Sequence, residues 1–195
     1  MKPKDETLKD GTTVHIRKVT SHDLDRLMAF YNDLPGEDRR YLKFDVTDRE
    51  AVRRRLRQMR GGRLLRIAAL SEDAIVGDGV LEFSPESWLC DHAEVRVLVA
   101  RPFQHRGVGS ALMRELYFMA IARGVHKLVG MVARPQHAAI AICHKLGFRE
   151  QVLIPDYVRD TRGEHQDLVV LIADIHDLWH ELEWLYKDQD MRRYQ

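Results

Sequence analysis

Residues 93–110, AEVRVLVARPFQHRGVGS, constrain this 195-residue chain more than any other stretch. Alternation up to Val99 reads as a strand, which then passes through Arg101-Pro102 and Gln104-His105-Arg106-Gly107-Val108-Gly109 directly into a helix. The glycines at 107 and 109 let the backbone approach a ligand closely. The amides of Arg106, Gly107, Val108, Gly109 and Ser110 are expected to point into one concavity at the positive end of the helix. Such a concavity favours phosphate oxygens, and a pyrophosphate is its natural guest.

The rest of the chain supplies elements around this turn. Residues 13–19 alternate as a half-buried strand and end at Thr20-Ser21, a natural helix N-cap. Leu24, Leu27, Met28, Tyr31 and Leu34 recur at helical spacing until Pro35-Gly36, and Asp48 caps a second helix through Met59 that Gly61-Gly62 ends. Residues 64–70, 75–83 and 93–99, separated by turn-rich segments, predict an antiparallel meander. A helix over 107–123 carries Leu112, Leu116, Met119 and Ala120 on one face, with Gly124 as its C-cap. Residues 128–133 read as a strand, 135–146 as an Ala-rich helix closed by Gly147, and 148–154 and 168–173 as two last strands. The predicted order is β-α-α-β-β-β-α-β-α-β-β, an α+β fold whose mixed central sheet of about seven strands is flanked by helices. Short loops and the absence of repeats predict a single domain over 1–174. The extension 175–195 carries Leu178, Trp179, Leu182, Leu185 and Tyr186 at helical spacing. It is expected to fold back on its own domain as an amphipathic helix, with a homodimer contact as the alternative.

Charge and cysteine usage narrow the partners. The 31 Lys plus Arg against 30 acids leave a formal charge of +1, which gives no reason to expect nucleic acid or an anionic membrane. Arg53, Arg54, Arg55, Arg57, Arg60, Arg63 and Arg66 form a basic stretch without an acid. Lacking interleaved aromatics, it reads as a solvated helix face rather than an RNA dock. Cys90 and Cys143 make neither a disulfide framework nor a CxxC pair, so a reducing cytoplasm is expected. The charged N-terminus is not followed by an apolar h-region, and the longest apolar stretch, 168–173, is too short to cross a bilayer, so no membrane association is expected. His176 with His180, and His92 with Cys90, complete no ligand set, and no metal is expected.

Gln104, Gly107 and Gly109 match every fixed position of Gln/Arg-x-x-Gly-x-Gly/Ala, and the segment resembles the acyl-CoA-binding motif of the GCN5-related N-acetyltransferase (GNAT) family. At the right distance, Gln136, Ala139, Cys143, Gly147 and Phe148 are similar to that family's Asn-x-x-Ala-x-x-x-Tyr-x-x-x-Gly-Phe ending. The resemblance implies a GNAT-like fold with acetyl-CoA as co-substrate, held by Leu98, Val99, Gln104, Arg106, Gly107, Val108, Gly109, Ser110, Gln136 and Ala139. It also implies direct transfer of the acetyl group to a primary amine in one ternary complex. In the family the backbone around Leu98 and Val99 splays from the next strand, and one of its amides polarises the thioester carbonyl.

Catalytic candidates follow from the same resemblance. A Lys-type amine, of reference pKa about 10.4, must lose a proton before it attacks. Glu94 aligns with the glutamate that removes it in histone-acetylating relatives; the alternative is that Glu94 only pairs with a cation or orders water, and Glu82 is the reserve. Alternation places Glu94, Arg96 and Leu98 on one face of the strand and Val95, Val97 and Val99 on the other. Two departures matter. Gln136 for Asn keeps an amide for the pantetheine arm. Cys143 stands where many members carry the Tyr that protonates the leaving thiolate. A thiol of reference pKa about 8.5 is a possible donor, but its short reach favours a pocket-lining role, with water or His144 supplying the proton.

Residues 34–44 look like the Ser/Pro-x-x-Arg-Tyr-x-x-Phe region of bacterial protein-lysine acetyltransferases that act on acyl-CoA synthetases. Protein lysine is therefore one expected acceptor, and a small amine such as a polyamine, amino acid or aminoglycoside is the other. With the usual Tyr missing, a non-catalytic acyl-CoA sensor is the alternative function. A dinucleotide site at Gly107-Val108-Gly109, with Arg134 reading a 2′-phosphate, lacks the third glycine and the βαβ unit.

Overall fold

The computed structural model describes residues 1–84 and 86–177. The strands are β1 (Lys4–Thr7), β2 (Thr13–Lys18), β3 (Leu64–Ser71), β4 (Ala74–Phe83), β5 (His92–Val99), β6 (Lys127–Ala133), β7 (Arg149–Arg159) and β8 (His165–Asp174). The helices are α1 (Leu24–Asp33), α2 (Gly36–Arg39), α3 (Arg49–Gln58), α4 (Val108–Ile121) and α5 (His137–Lys145). One mixed sheet runs β1-β2-β3-β4-β5-β6-β8-β7, antiparallel at every step except β5 to β6. This is the α+β architecture the sequence predicts, with one strand more. The amphipathic segment beginning at Leu178 lies outside the described residues.

The added strand, β1, has no apolar alternation and is held by charge. Lys4 Nζ lies 2.5 Å from Oε1 of the buried Glu115 on α4, and Arg114 reaches Glu6 at 2.6 Å. At the opposite edge β7 continues past Pro155, where its register with β8 is irregular and Asp156 takes φ +51°. An edge strand tolerates a proline because one of its sides donates to no ladder.

The faces of the sheet carry separate cores. Leu112, Leu116 and Ala120 of α4 pack with Ile67, Ala69 and Leu81 on one side, joined by Val95, Val97 and Val99. Leu27, Phe30 and Tyr31 of α1 and Val52 and Leu56 of α3 pack with Ala68 and Leu70 on the other, joined by Leu98. The expected alternation of β5 therefore holds.

The basic stretch is not one solvated face. Arg66 is buried on β3, where Nε donates to Asp78 Oδ1 at 2.7 Å and Tyr31 donates to Asp78 Oδ2 at 3.0 Å. Burial opposes the charge of Asp78, but Arg66 wins and holds that carboxyl below the usual range. Arg53 and Arg57 pair with Glu50, and Arg55 turns to Glu82. Residues 53–66 span a helix, a turn and a strand, so their cations leave in different directions.

Alternating glycines in β4 set the seat of α4. A Cβ at Gly77 would stand 2.8 Å from Leu112 Cδ1 and 2.9 Å from Val108 Cγ1, and one at Gly79 would stand 3.0 Å from Leu116 Cδ1. Gly77→Ala is expected to cost about 1–3 kcal/mol by overpacking. It should also weaken the anion binding expected at the head of α4, because the displaced Val108 opens that helix. Denaturant titration and calorimetry of the variant check both effects.

Candidate active site

The parallel pairing of β5 with β6 is brief: His92 with Lys127, Ala93 with Leu128, Glu94 with Val129. Beyond that point β5 stays on β4 as far as Val99 opposite Gly77, and β6 stays on β8 as far as Ala133 opposite Leu168. The strands therefore part, and the sheet opens into a wedge with its vertex at Glu94 and Val129. Along the free edge of β5, main-chain groups of residues 95–99 have no strand beside them among the described residues. The side chains of Leu98 and Val99 point into the two cores. Main-chain groups alternate along a strand, and Ala100 N donates to Val76 O at 2.9 Å, so Leu98, opposite Asp78, turns its backbone to β4 while Val99 turns its backbone to the wedge.

At the wide end the chain turns through His105 at φ +61° and Gly107 at φ +105° into α4. Ala111 N is the first amide to bond back, to Gly107 O at 2.9 Å. Among the described residues no acceptor meets the amides of Arg106, Gly107, Val108, Gly109 and Ser110. Val108 is fully buried and offers only its backbone. A Cβ at Gly109 would lie 3.6 Å from Val99 Cγ2, an ordinary contact that explains why alanine also fits this position. The Arg106 side chain serves the fold: it pairs with Asp10 at 2.9 Å and lies over Phe103, while its carbonyl accepts from Lys9 N at 3.1 Å. The turn between β1 and β2 thus braces the cradle.

Two side-chain amides stand at the strand ends. Gln104 Nε2 donates to Val99 O at 3.1 Å, and Gln136 Oε1 accepts from Ala133 N at 3.2 Å. On α5, Ala139 and Cys143 are partly buried against the α4-side core, with Cys143 Sγ 3.8 Å from where a Cβ on Gly130 would stand. Burial pushes the Cys143 thiol up to about 11. His144 is turned to Glu150, 3.0 Å away.

At the vertex, on the α1 and α3 face, lies a cleft of about 430 Å³. Glu82 and Glu94 are cross-strand neighbours within it. Arg55 grips both oxygens of Glu82, one at 3.0 Å, and these hydrogen bonds hold that carboxyl below its ordinary value. Lys43 Nζ pairs with Glu94 and lies 3.6 Å from Met131 Sδ on β6. Arg54 and Arg63 also line the cleft, and neither has a carboxylate partner among the described residues. Sequence reasoning placed Glu94 and Glu82 here but not Lys43, Arg55 or Arg63. Lys43 falls on a variable position of Arg-Tyr-x-x-Phe, where no periodicity marks it.

A wedge of unpaired strand edge that ends in a phosphate cradle suits an extended, amide-rich carrier with a pyrophosphate. These features define an acyl-CoA-binding transferase. Residues 24–148 match the acetyltransferase (GNAT) family, and the chain belongs to it as an N-acetyltransferase. A ribosomal-protein-alanine N-acetyltransferase from Brucella melitensis is 27% identical, over 82% of this chain and 98% of its own, with a TM-score of 0.70. The GNAT domain of S. lividans PAT (23% identity, 88% and 96% coverage, TM-score 0.74) shares the fold. So does yncA from Salmonella typhimurium, solved with its cofactor acetyl-CoA (19%, 83% and 94%, 0.70). No curated protein sequence matches the chain.

Proposed function

We propose that the protein transfers an acetyl group directly from acetyl-CoA, held in the wedge, to a primary amine that enters through the cleft. The parting of β5 from β6 at Glu94 carries this reading, because it brings a carboxylate, a free strand edge and the cleft to one point. The residues present fit the co-substrate: the amides of Arg106 to Ser110 lack acceptors among the described residues, and the space beside Gly107 is open, the nearest atom to an added Cβ being Lys9 Cγ at 3.9 Å. Glu94 takes the proton of the acceptor amine, whose nitrogen then attacks the thioester carbonyl. A main-chain amide of β5 meets the negative charge that develops on the carbonyl oxygen. Cys143, with its thiol pushed up to about 11, is a weaker acid than a thiol of reference pKa about 8.5. Donation from it to the leaving thiolate is uphill, so Cys143 lines the pocket and the thiolate takes its proton from bulk solvent as it leaves.

Charge in the cleft selects the acceptor. Lys43, Arg54, Arg55 and Arg63 outnumber Glu82 and Glu94, so the site attracts an amine accompanied by carboxylate and repels a polyamine or an aminoglycoside. Steady-state transfer to a panel of acceptors tests both claims. Lysine within acidic peptides, or small amines bearing carboxylate, should show kcat/KM at least about tenfold above spermidine, with the margin shrinking as salt is added. Faster transfer to the polycation would overturn the selectivity, and acetyl-CoA binding without turnover on any amine would overturn the catalytic reading in favour of a sensor.

A further inference from the structure

The vertex already contains an amine. We propose that the protein acetylates its own Lys43, an inference that rests on the reading of Glu94 and the wedge given above. Lys43 Nζ pairs with Glu94, the last residue of β5 to meet β6, and reaches Met131, which follows on β6 just beyond the parting. Its ammonium therefore spans the mouth of the wedge, beside the carboxylate that takes the acceptor's proton. An acceptor lysine from another molecule would have to occupy the same place.

The loop that presents Lys43 is pinned on both sides. Before it, Arg40 binds Asp160 at 2.7 Å and Glu164 at 2.5 Å, and its carbonyl accepts from Thr161 N at 3.1 Å, so the β7–β8 turn clasps the loop. After it, the Phe44 ring meets the guanidinium groups of Arg55 and Arg96, at 5.6 and 5.8 Å from its centroid. Leu42 and Phe44 also pack on the α1 and α3 core. A lysine whose flanking backbone is fixed in this way presents its amine as part of the same molecule, which replaces a bimolecular encounter by an oriented one. The side chain stays 39% exposed, so protons have a path to water.

The step balances within these groups. The Lys43 nitrogen forms a bond to the thioester carbonyl carbon, and the carbon–sulfur bond breaks with its electron pair on sulfur. The ammonium loses two protons in all: one passes through Glu94 to solvent, and the other is replaced on the CoA thiolate from water. The product amide carries no charge, so its pairing with Glu94 ends and the carboxylate is released for an incoming amine.

Mass spectrometry of proteolytic peptides, after incubation of the full chain with acetyl-CoA, tests this. The expected result is one acetyl group on Lys43, added at a rate independent of protein concentration and slowed at least about 100-fold in Glu94→Gln. The signal should disappear in Lys43→Arg. Excess CoA, competing for the wedge of the folded wild-type protein, should slow it. Calorimetry on the same preparation separates the two readings. Acetyl-CoA binding with Lys43 unmodified overturns self-acetylation alone, whereas no binding overturns the proposed function as well. Acetylation indifferent to CoA and to Glu94→Gln would be solution chemistry, and a rate that scales with protein concentration would assign it to neighbouring copies. Either result overturns the inference.

Discussion

Gly107→Glu is expected to weaken acetyl-CoA binding by more than about 100-fold, because like charges placed side by side cost several kcal/mol. Gly107 takes φ +105°, a conformation that side chains rarely adopt, and the nearest atom to an added Cβ is Lys9 Cγ at 3.9 Å. Space is therefore open, and the penalty comes from backbone strain of about 1–3 kcal/mol together with a carboxylate set among the amides to which the proposed function assigns the phosphates. Gly109→Ala is the matched control. Its Cβ makes an ordinary contact with Val99, so its affinity should stay close to that of the parent. Calorimetry, with circular dichroism to confirm that both variants fold, reads the contrast. Equal binding by the two variants would place the phosphates elsewhere.

Glu94→Gln should lower kcat by about 100- to 10,000-fold, the range of general base catalysis, while leaving acetyl-CoA affinity nearly unchanged. The amide keeps the size and part of the hydrogen bonding of the carboxylate but accepts no proton. Raising the pH should recover part of the loss, since a larger fraction of a Lys-type amine, of reference pKa about 10.4, is then neutral without help. Glu82→Gln is the comparison. Arg55 already occupies both Glu82 oxygens, so this carboxylate is committed to an ion pair and its loss should act through the position of α3 more than through the chemistry. A fall in kcat for Glu82→Gln larger than for Glu94→Gln would exchange their roles.

Much of this site could be read from residues close together in the chain. The Gln104, Gly107 and Gly109 spacing announced the cradle, because a strand, a tight turn and a helix N-terminus are built from consecutive residues. Alternation in β5 put Glu94 on the face opposite Val95, Val97 and Val99, since strand periodicity is set by the backbone, and the structure turns those valines to α4. Asp48 capped its helix as expected, with Oδ1 accepting from Glu50 N at 2.8 Å. By contrast, β1 escaped notice. Its residues Lys4 and Glu6 carry no apolar pattern and are held by Glu115 and Arg114, more than a hundred positions away.

The cations went astray for the same reason. As a string, Arg53 to Arg66 looks like one basic face, yet Arg66 lies buried with Asp78, Arg55 holds Glu82 and Arg54 borders the cleft. Short-range order specifies a conformation, because the relevant energies act between neighbours along the backbone. Where a charge finds its partner depends on which segments the folded chain brings together. Lys43 and Glu94 stand 51 positions apart, and their meeting required the sheet to part at one point and the β7–β8 turn to hold Arg40 against it. The turn at the head of α4 could be anticipated from local spacing, whereas the cleft around Glu94 came from long-range packing, which no spacing in the chain encodes.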